Sequence, residues 1–382
     1  MDYYLASVLV FTGILALVLY KDRANVDRKF GIFFMRRTQK GKKFVDALAK
    51  ASPTFWRLMG DLGVLTGFGA MVYGLYFLVK QATAPSAGPG LALLIPLPSS
   101  SAVAGQGYVG IPFWFFIVGI AALVIVHEGS HAVQVRLAGV KIKSMGLALF
   151  AVIPGAFVEP DEKGLKKKSW RSQARVYAAG SFGNFVLAIL TAIVLTFVLS
   201  PIFSVGAVDF RGYVAAPEGG EPYPAQIAEL KGPIVALDGQ AVHDTETFAS
   251  ILSKKKPGDT VIVQTPDDEY RIRLAAHPED SDRAFLGVGN VQKTHVLKET
   301  YRSNPMQAGA INFLLDLFAW IFTLNIGIGI VNLFPLKPLD GGLLAEAALK
   351  RFVPAYADDV LRASAAFVLV LVLWNFVGGA IV

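Results

Sequence analysis

The chain alternates between long apolar runs and short, strongly basic stretches, and that alternation predicts its elements before any motif is considered. A helix needs about 20 apolar residues to cross a hydrocarbon core of ~30 Å. Runs of that kind fall at roughly 4–20, 62–79, 113–135, 176–200, 308–333 and 360–380. Two further stretches are apolar but too interrupted for spanning helices. Residues 87–99 are broken by Gly and Pro and read as a segment that dips into the membrane. Residues 140–159 contain strand-like pieces joined by Gly146, Pro154 and Gly155. Irregular backbone at membrane depth is tolerated only where protein buries it or where it lines a wet cavity. The fold class that follows is a multi-pass α-helical membrane protein with about six transmembrane helices.

Charge orients these spans. Residues 21–60 carry eleven Lys/Arg against three Asp/Glu, and residues 136–175 carry nine against three, so both loops are expected on the cytoplasmic side. Residues 81–111 hold no charged residue, while 201–306 hold eleven basic and fifteen acidic ones, which places both on the opposite side. Six spans with both termini outside satisfy all four assignments. The first run is preceded by no basic residue and followed at once by Lys21 and Arg23, which reads as an uncleaved anchor rather than a cleaved export signal. A formal net charge of +7 taken alone would suggest nucleic acid as a partner, but the basic residues crowd the loops beside apolar runs. The expected partner is the lipid bilayer, with no nucleic acid.

The organisation expected from this pass is an N-terminal pair of spans with a basic loop (1–80), a first core half (81–200), an inserted domain (201–306) and a second core half (307–382). The insert has its own signature. Strands flank an Asp238-Gly239 turn, a helix capped by Asp244 runs to about Ser253, and a hairpin follows at 260–274. This order resembles a PDZ domain, a module that binds peptides by adding a strand to a sheet edge. The alternative is an unrelated small β-rich domain.

Composition narrows the chemistry. With no cysteine, disulfides, thiolate sites and cysteine nucleophiles are excluded, and any transition metal must sit on His, Asp or Glu. The third apolar run ends in His127-Glu128-Gly129-Ser130-His131, an H-E-x-x-H. Two His four positions apart stack on one helix face, so both imidazoles reach one Zn²⁺, while Glu128 is turned by about 100° toward the position a general base needs. Ionisable groups at this depth are costly and by default functional. Catalytic zinc sites usually have three protein ligands and an open position. His243, His277 and His295 lie in the insert, on the wrong side by the charge argument. The better third ligand is Asp340, in the segment from Asn332 to Gly342 that follows the fifth span. The topology returns that segment to the level where the third span ends. Read alone, Asp340 is equally a cap for the helix that follows it.

Both motifs together are similar to those of the site-2 protease family: H-E-x-x-H at 127–131 and N-x-x-P-x-x-x-x-D-G at 332–341, with a PDZ-like insert between them. The resemblance covers about residues 113–342. It implies an intramembrane zinc metalloprotease that cuts transmembrane protein substrates, with its active site toward the cytoplasmic side of the cell membrane and the PDZ-like α+β domain extracytoplasmic. It further implies that His127, His131 and Asp340 bind zinc, that Glu128 is the base, and that Asn332 holds substrate or helps stabilise the oxyanion. A helix–helix hydrogen bond is the other reading of Asn332. The stretch 154–159 resembles the family's membrane hairpin. One departure is Ser181, within Ala179-Gly180-Ser181-Phe182-Gly183-Asn184, where the family often has A-G-P-x-x-N.

Two rival functions are a membrane zincin working at the cytoplasmic face and a non-enzymatic PDZ-bearing scaffold or transporter. The first usually takes a third ligand from a Glu followed four residues later by Asp, and no Glu is so placed. The second would show internal repeats or lack one of the four motif residues, and neither is the case. Substrate identity and oligomeric state are not legible in the sequence.

Overall fold

Among the described residues six helices are long and apolar enough to cross a membrane, and a multi-pass helical protein is what the chain forms. The computed structural model describes residues 3–29, 32–83, 91–105, 107–203, 206–216 and 220–377. These divide into two compact units, residues 1–195 with 314–382, and residues 196–313.

In the first unit α1 (Tyr3–Lys21) leads to a hairpin of β1 (Val26–Lys29) and β2 (Phe33–Thr38), then to α2 (Lys40–Ala51) and α3 (Pro53–Thr83). Three short strands, β3 (Leu93–Leu97), β4 (Val103–Gly105) and β5 (Tyr108–Pro112), precede α4 (Phe113–Leu137). A long hairpin, β6 (Ile142–Phe150) and β7 (Ile153–Pro160), is followed by α5 (Glu162–Lys166) and α6 (Trp170–Ile193). The second unit contains β8 (Ala207–Phe210), α7 (Pro224–Ile227), β9 (Ala236–Leu237), β10 (Gln240–Ala241), α8 (Thr245–Leu252), β11 (Thr260–Gln264) and β12 (Glu269–Arg273). It continues through β13 (Ala275–His277), β14 (Asp280–Phe285), β15 (Val291–Thr294) and α9 (Glu299–Arg302). The chain ends with α10 (Pro305–Val331), α11 (Asp340–Phe352) and α12 (Ala357–Val377).

The spanning helices are apolar on every side, so periodicity does not choose their buried face. Small residues do. On α3 the buried positions Gly60, Gly63, Gly67, Met71, Gly74 and Leu78 recur every three or four residues. A Cβ at Gly74 would lie 2.6 Å from the Phe334 ring, and one at Gly63 would lie 3.2 Å from Phe182. Helices approach this closely in lipid because dispersion, not hydrophobic expulsion, holds them together. The opposite faces leave Leu65, Val72, Ile125 and Ile189 exposed, as lipid-facing residues are. The second span is longer than the pattern 62–79 suggested. At 1.5 Å per residue the 31 residues of α3 reach about 46 Å, and Asp61 near its start pairs with Arg171 at 2.8 Å and Arg175 at 2.5 Å on α6.

The interrupted stretch 140–159 is corrected in its detail. Gly146, Pro154 and Gly155 do not join its pieces but lie inside the two strands; the chain reverses at Ala151-Val152, with Ala151 at φ 53°. Gly146 is glycine because β2 runs against it, and a Cβ there would lie 2.1 Å from the Arg36 carbonyl oxygen. That neighbour was not foreseen. The loop read only as a basic stretch contributes β1 and β2 to a four-stranded sheet of order β1-β2-β6-β7, so β7 is an edge. Of the segment 87–99, residues 87–90 lie outside the described residues, and 93–97 form β3, parallel to β5.

The second unit packs a core of Val208, Leu237, Phe248, Val261, Val263 and Leu286. Its turn at Asp238-Gly239, the Asp244 cap on α8 (Thr247 N–H to Asp244 Oδ1, 2.8 Å) and the β11–β12 hairpin stand where the sequence placed them.

Candidate metal centre

The centre is assembled from three spans and one turn. α4 carries His127, Glu128 and His131; α6 packs against it; the chain leaving α10 carries Asn332; and α11 opens on Asp340. Asp340 sits in the first turn of α11 behind Leu339, and no side chain caps that helix. Its carboxylate is directed elsewhere. Oδ2 lies 3.2 Å from His127 Nε2 and 3.1 Å from His131 Nε2, and the two Nε2 atoms are 3.2 Å apart. The loop before Asp340 is held by Lys337, whose Nζ meets Glu346 at 2.6 Å on α11. Gly341 follows Asp340 because a Cβ there would meet the Leu333 carbonyl oxygen at 2.1 Å.

These three atoms fit a metal. Ligands about 2.0–2.1 Å from a tetrahedral Zn²⁺ stand about 3.3 Å apart, close to the 3.1–3.2 Å found. Room is made on the α6 side by Gly180, where a Cβ would lie 2.4 Å from His131 Nε2 and 2.5 Å from His127 Nε2. The outer ring nitrogens are held as well. His131 Nδ1 lies 2.7 Å from the Val176 carbonyl oxygen, an acceptor, so this nitrogen carries the proton and Nε2 keeps its lone pair for the centre. His127 Nδ1 meets the Asn184 amide at 3.1 Å, and Asn184 is fully buried. Amide nitrogen and oxygen are exchanged by a flip. With the oxygen toward Nδ1, Asn184 accepts that proton and frees Nε2 of His127 in the same way.

Charge at the rim follows from the same neighbours. Burial works against the ionised form of Asp340, a cost that a cation held between it and the two imidazoles would offset. Burial likewise opposes the charge on Glu346, which Lys337 and Lys350 hold below its ordinary value. Among the described residues, His127, His131 and Asp340 are the only group of three or more His, Asp or Glu placed to share an ion.

Asn332 stands against this group, its Nδ2 3.2 Å from His127 Nε2 and 3.1 Å from Asp340 Oδ2. Glu128 lines a cavity together with His131 and Asp340, and its Oε2 accepts the Val158 backbone N–H at 2.9 Å. Two cavities share Glu128 and Val158. One, about 290 Å³, contains His131, Asp340, Glu162, Lys166 and Tyr177. The other, about 450 Å³, is walled by Phe44, Val45, Leu48, Met145 and Phe157. The carboxylate thus borders a polar space and an apolar one.

Four contributors to the centre carry little or no signal in the sequence. Asn184 was noted as a motif residue, with only helix packing as its role. Gly180 was seen only as a small residue. The Val176 carbonyl and Val158 N–H are backbone groups, which carry no signal in sequence.

Comparison with known proteins gives the family. Over 346 residues the chain is 23% identical to an uncharacterized protein of Methanocaldococcus jannaschii (MJ0971), an alignment that covers 87% of this chain and 83% of that one. Residues 115–373, more than half of the chain and including His127, His131 and Asp340, match peptidase family M50. The chain therefore belongs to peptidase family M50, the site-2 protease family of membrane metalloproteases.

Proposed function

We propose that this protein is an intramembrane zinc endopeptidase that hydrolyses peptide bonds within the transmembrane segments of other proteins. The observation that carries the reading is the convergence of His127 Nε2, His131 Nε2 and Asp340 Oδ2 within 3.1–3.2 Å of one another, beside the Glu128 carboxylate. Those three residues would hold the zinc. When bound, zinc supplies Lewis-acid polarisation of the scissile carbonyl and lowers the pKa of an attacking water toward ~7.

Glu128 accepts the proton of that water and delivers it to the leaving amine. Its place between a polar and an apolar cavity suits both tasks, since water arrives from one and the peptide from the other. The Asn332 amide keeps Asp340 oriented and, with its N–H groups beside the ligands, donates to the oxygen on which negative charge develops. A substrate helix hides its carbonyls in its own hydrogen bonds and must unwind locally before attack. The edge of β7 is suited to hold the opened strand by backbone pairing.

The second unit acts as a PDZ-like peptide-binding module that selects substrates or trimmed ends. In this reading the second unit lies outside the cell, and the metal centre lies toward the cytoplasm on the side of the basic loops 21–60 and 136–175.

The test is to purify the chain and its Glu128→Gln and Asp340→Ala forms in detergent and measure zinc content and cleavage of a membrane-spanning substrate. Glu128→Gln is expected to keep zinc and lose cleavage by at least a hundredfold, on the order expected for removing a general base. Asp340→Ala is expected to lose both. Undiminished cleavage by Glu128→Gln overturns the mechanism.

A further inference from the structure

α2 is separated from the second span by one residue, Ser52, so it lies where that span leaves the bilayer. Its inner face is spent on packing. Val45 and Ala49 are buried in a cluster with Val133, Val140 and Ile142. Lys42 donates to the Lys143 carbonyl at 2.7 Å, and Asp46 pairs with Arg136. The outer face is different. Phe44 is 71% exposed, and exposed Ala47 and Ala51 follow it three and seven positions on, flanked by exposed Lys43 and Lys50. An apolar stripe with an aromatic residue, edged by lysines, is the pattern of a helix lying in a membrane interface.

A second observation on the same side concerns charge. Between α2, the start of α3 and the end of α4 is a cleft of about 510 Å³ lined by Lys50, Arg57, Arg136 and Lys141, with Asp46 its only acidic group. Arg136 is neutralised by Asp46. Lys50, Arg57 and Lys141 have no ion pair among the described residues. A cleft with three uncompensated cations, beside an apolar stripe and at the level where a span emerges, is complementary to phosphate groups set above acyl chains. An acidic soluble protein would satisfy the cations but leave Phe44 in water.

We propose that α2 docks on the anionic phospholipid leaflet, with Phe44 in the acyl layer and Lys43, Lys50 and Arg57 on headgroup phosphates. Phe44, Val45 and Leu48 also wall the apolar cavity that reaches Glu128. Seating Phe44 in lipid therefore turns the mouth of that cavity toward the acyl chains, from which an apolar peptide segment arrives.

The absence of cysteine makes a direct test simple. A nitroxide is attached at Phe44→Cys, or at Ala51→Cys on the same stripe, in the full chain carrying Glu128→Gln so that depth does not depend on turnover. Each is reconstituted in nanodiscs of phosphatidylcholine alone and of phosphatidylcholine with phosphatidylglycerol. The ratio of oxygen to nickel-chelate accessibility is expected to rise severalfold when phosphatidylglycerol is present. The rise is expected to vanish in the Lys43→Gln, Lys50→Gln, Arg57→Gln triple variant. Labels that stay nickel-accessible in both lipids overturn the proposal, as does equal depth in both. Because nothing is cleaved in this experiment, its failure is separate from failure of the protease reading.

Discussion

The Glu128 carboxylate accepts a hydrogen bond from the Val158 backbone N–H at 2.9 Å, so the general-base candidate on a membrane helix is aimed by the edge strand of a sheet. Val158 pairs with Met145 in the β6–β7 ladder, and its N–H faces outward to Glu128 instead.

Proline at 158 removes that N–H without taking a donor from the ladder, as edge strands allow. Hydrogen bonds to charged groups contribute about 1.5–3 kcal/mol. Val158→Pro is expected to keep its zinc and to lose cleavage rate by roughly tenfold to a hundredfold, the factor to which that energy converts. Zinc analysis beside single-turnover cleavage separates the two effects. Lost zinc would mean that the hairpin supports the ligands rather than the base.

Asn184 is expected to set zinc affinity through His127. Groups that orient a metal-bound His typically change affinity 10–100-fold when removed. Asn184→Leu is expected to weaken zinc by about that factor in a chelator competition. Asn184→Asp, still able to accept from Nδ1, is expected to restore it. A Leu variant with unchanged affinity would reduce Asn184 to packing.

Gly180→Ala is a test of space. The added methyl would lie within 2.5 Å of both Nε2 atoms, while alanine favours the helix by about 1 kcal/mol over glycine. The variant is expected to bind no zinc and to melt within a few degrees of the metal-free parent, the overpacking cost of about 1–3 kcal/mol offsetting the helix gain, read by metal analysis and by melting. Full zinc occupancy would show that the ion sits elsewhere.

The second unit should report acid through Asp238. The Ile262 backbone N–H, at 2.7 Å, and then Lys255, at 2.5 Å, hold its carboxyl below the usual range. A carboxyl depressed by folding stabilises above its unfolded pKa of about 3.9 and loses that contribution as pH falls through the folded value. Because the pair is partly solvated, about 1 kcal/mol is at stake. The protection of β9–β11 amides relative to their intrinsic exchange rates is expected to fall about fivefold in the full chain below about pH 4, and Asp238→Asn is expected to show the same lowered protection at neutral pH. Asparagine keeps the positive φ of 47° that this position needs.

Much of this was legible in particular residues. The Asp238-Gly239 turn and the Asp244 cap were read in place because a turn and a cap depend on neighbours within four positions. Asp340 is expected as the third ligand only because the H-E-x-x-H stands beside it; local sequence alone leaves a helix cap equally open. In the structure its carboxylate meets imidazoles 209 and 213 positions away, and Leu339 precedes the helix without a side-chain cap. β2 was not anticipated, since FFMRRT beside basic residues looks like a loop until β6 lies along it.

Sequence alone determined the number of spanning helices and the pair of motifs, because hydropathy and i,i+4 spacing are properties of contiguous residues. Only the tertiary structure decided which faces of those helices meet, that Gly180 leaves room beside the three converging side chains, and that Asn184 and Val158 hold His127 and Glu128. The helices are apolar all round, so their pattern contains no preferred face. Close approach at glycines, and backbone groups arriving from distant strands, make that choice only when the chain has packed.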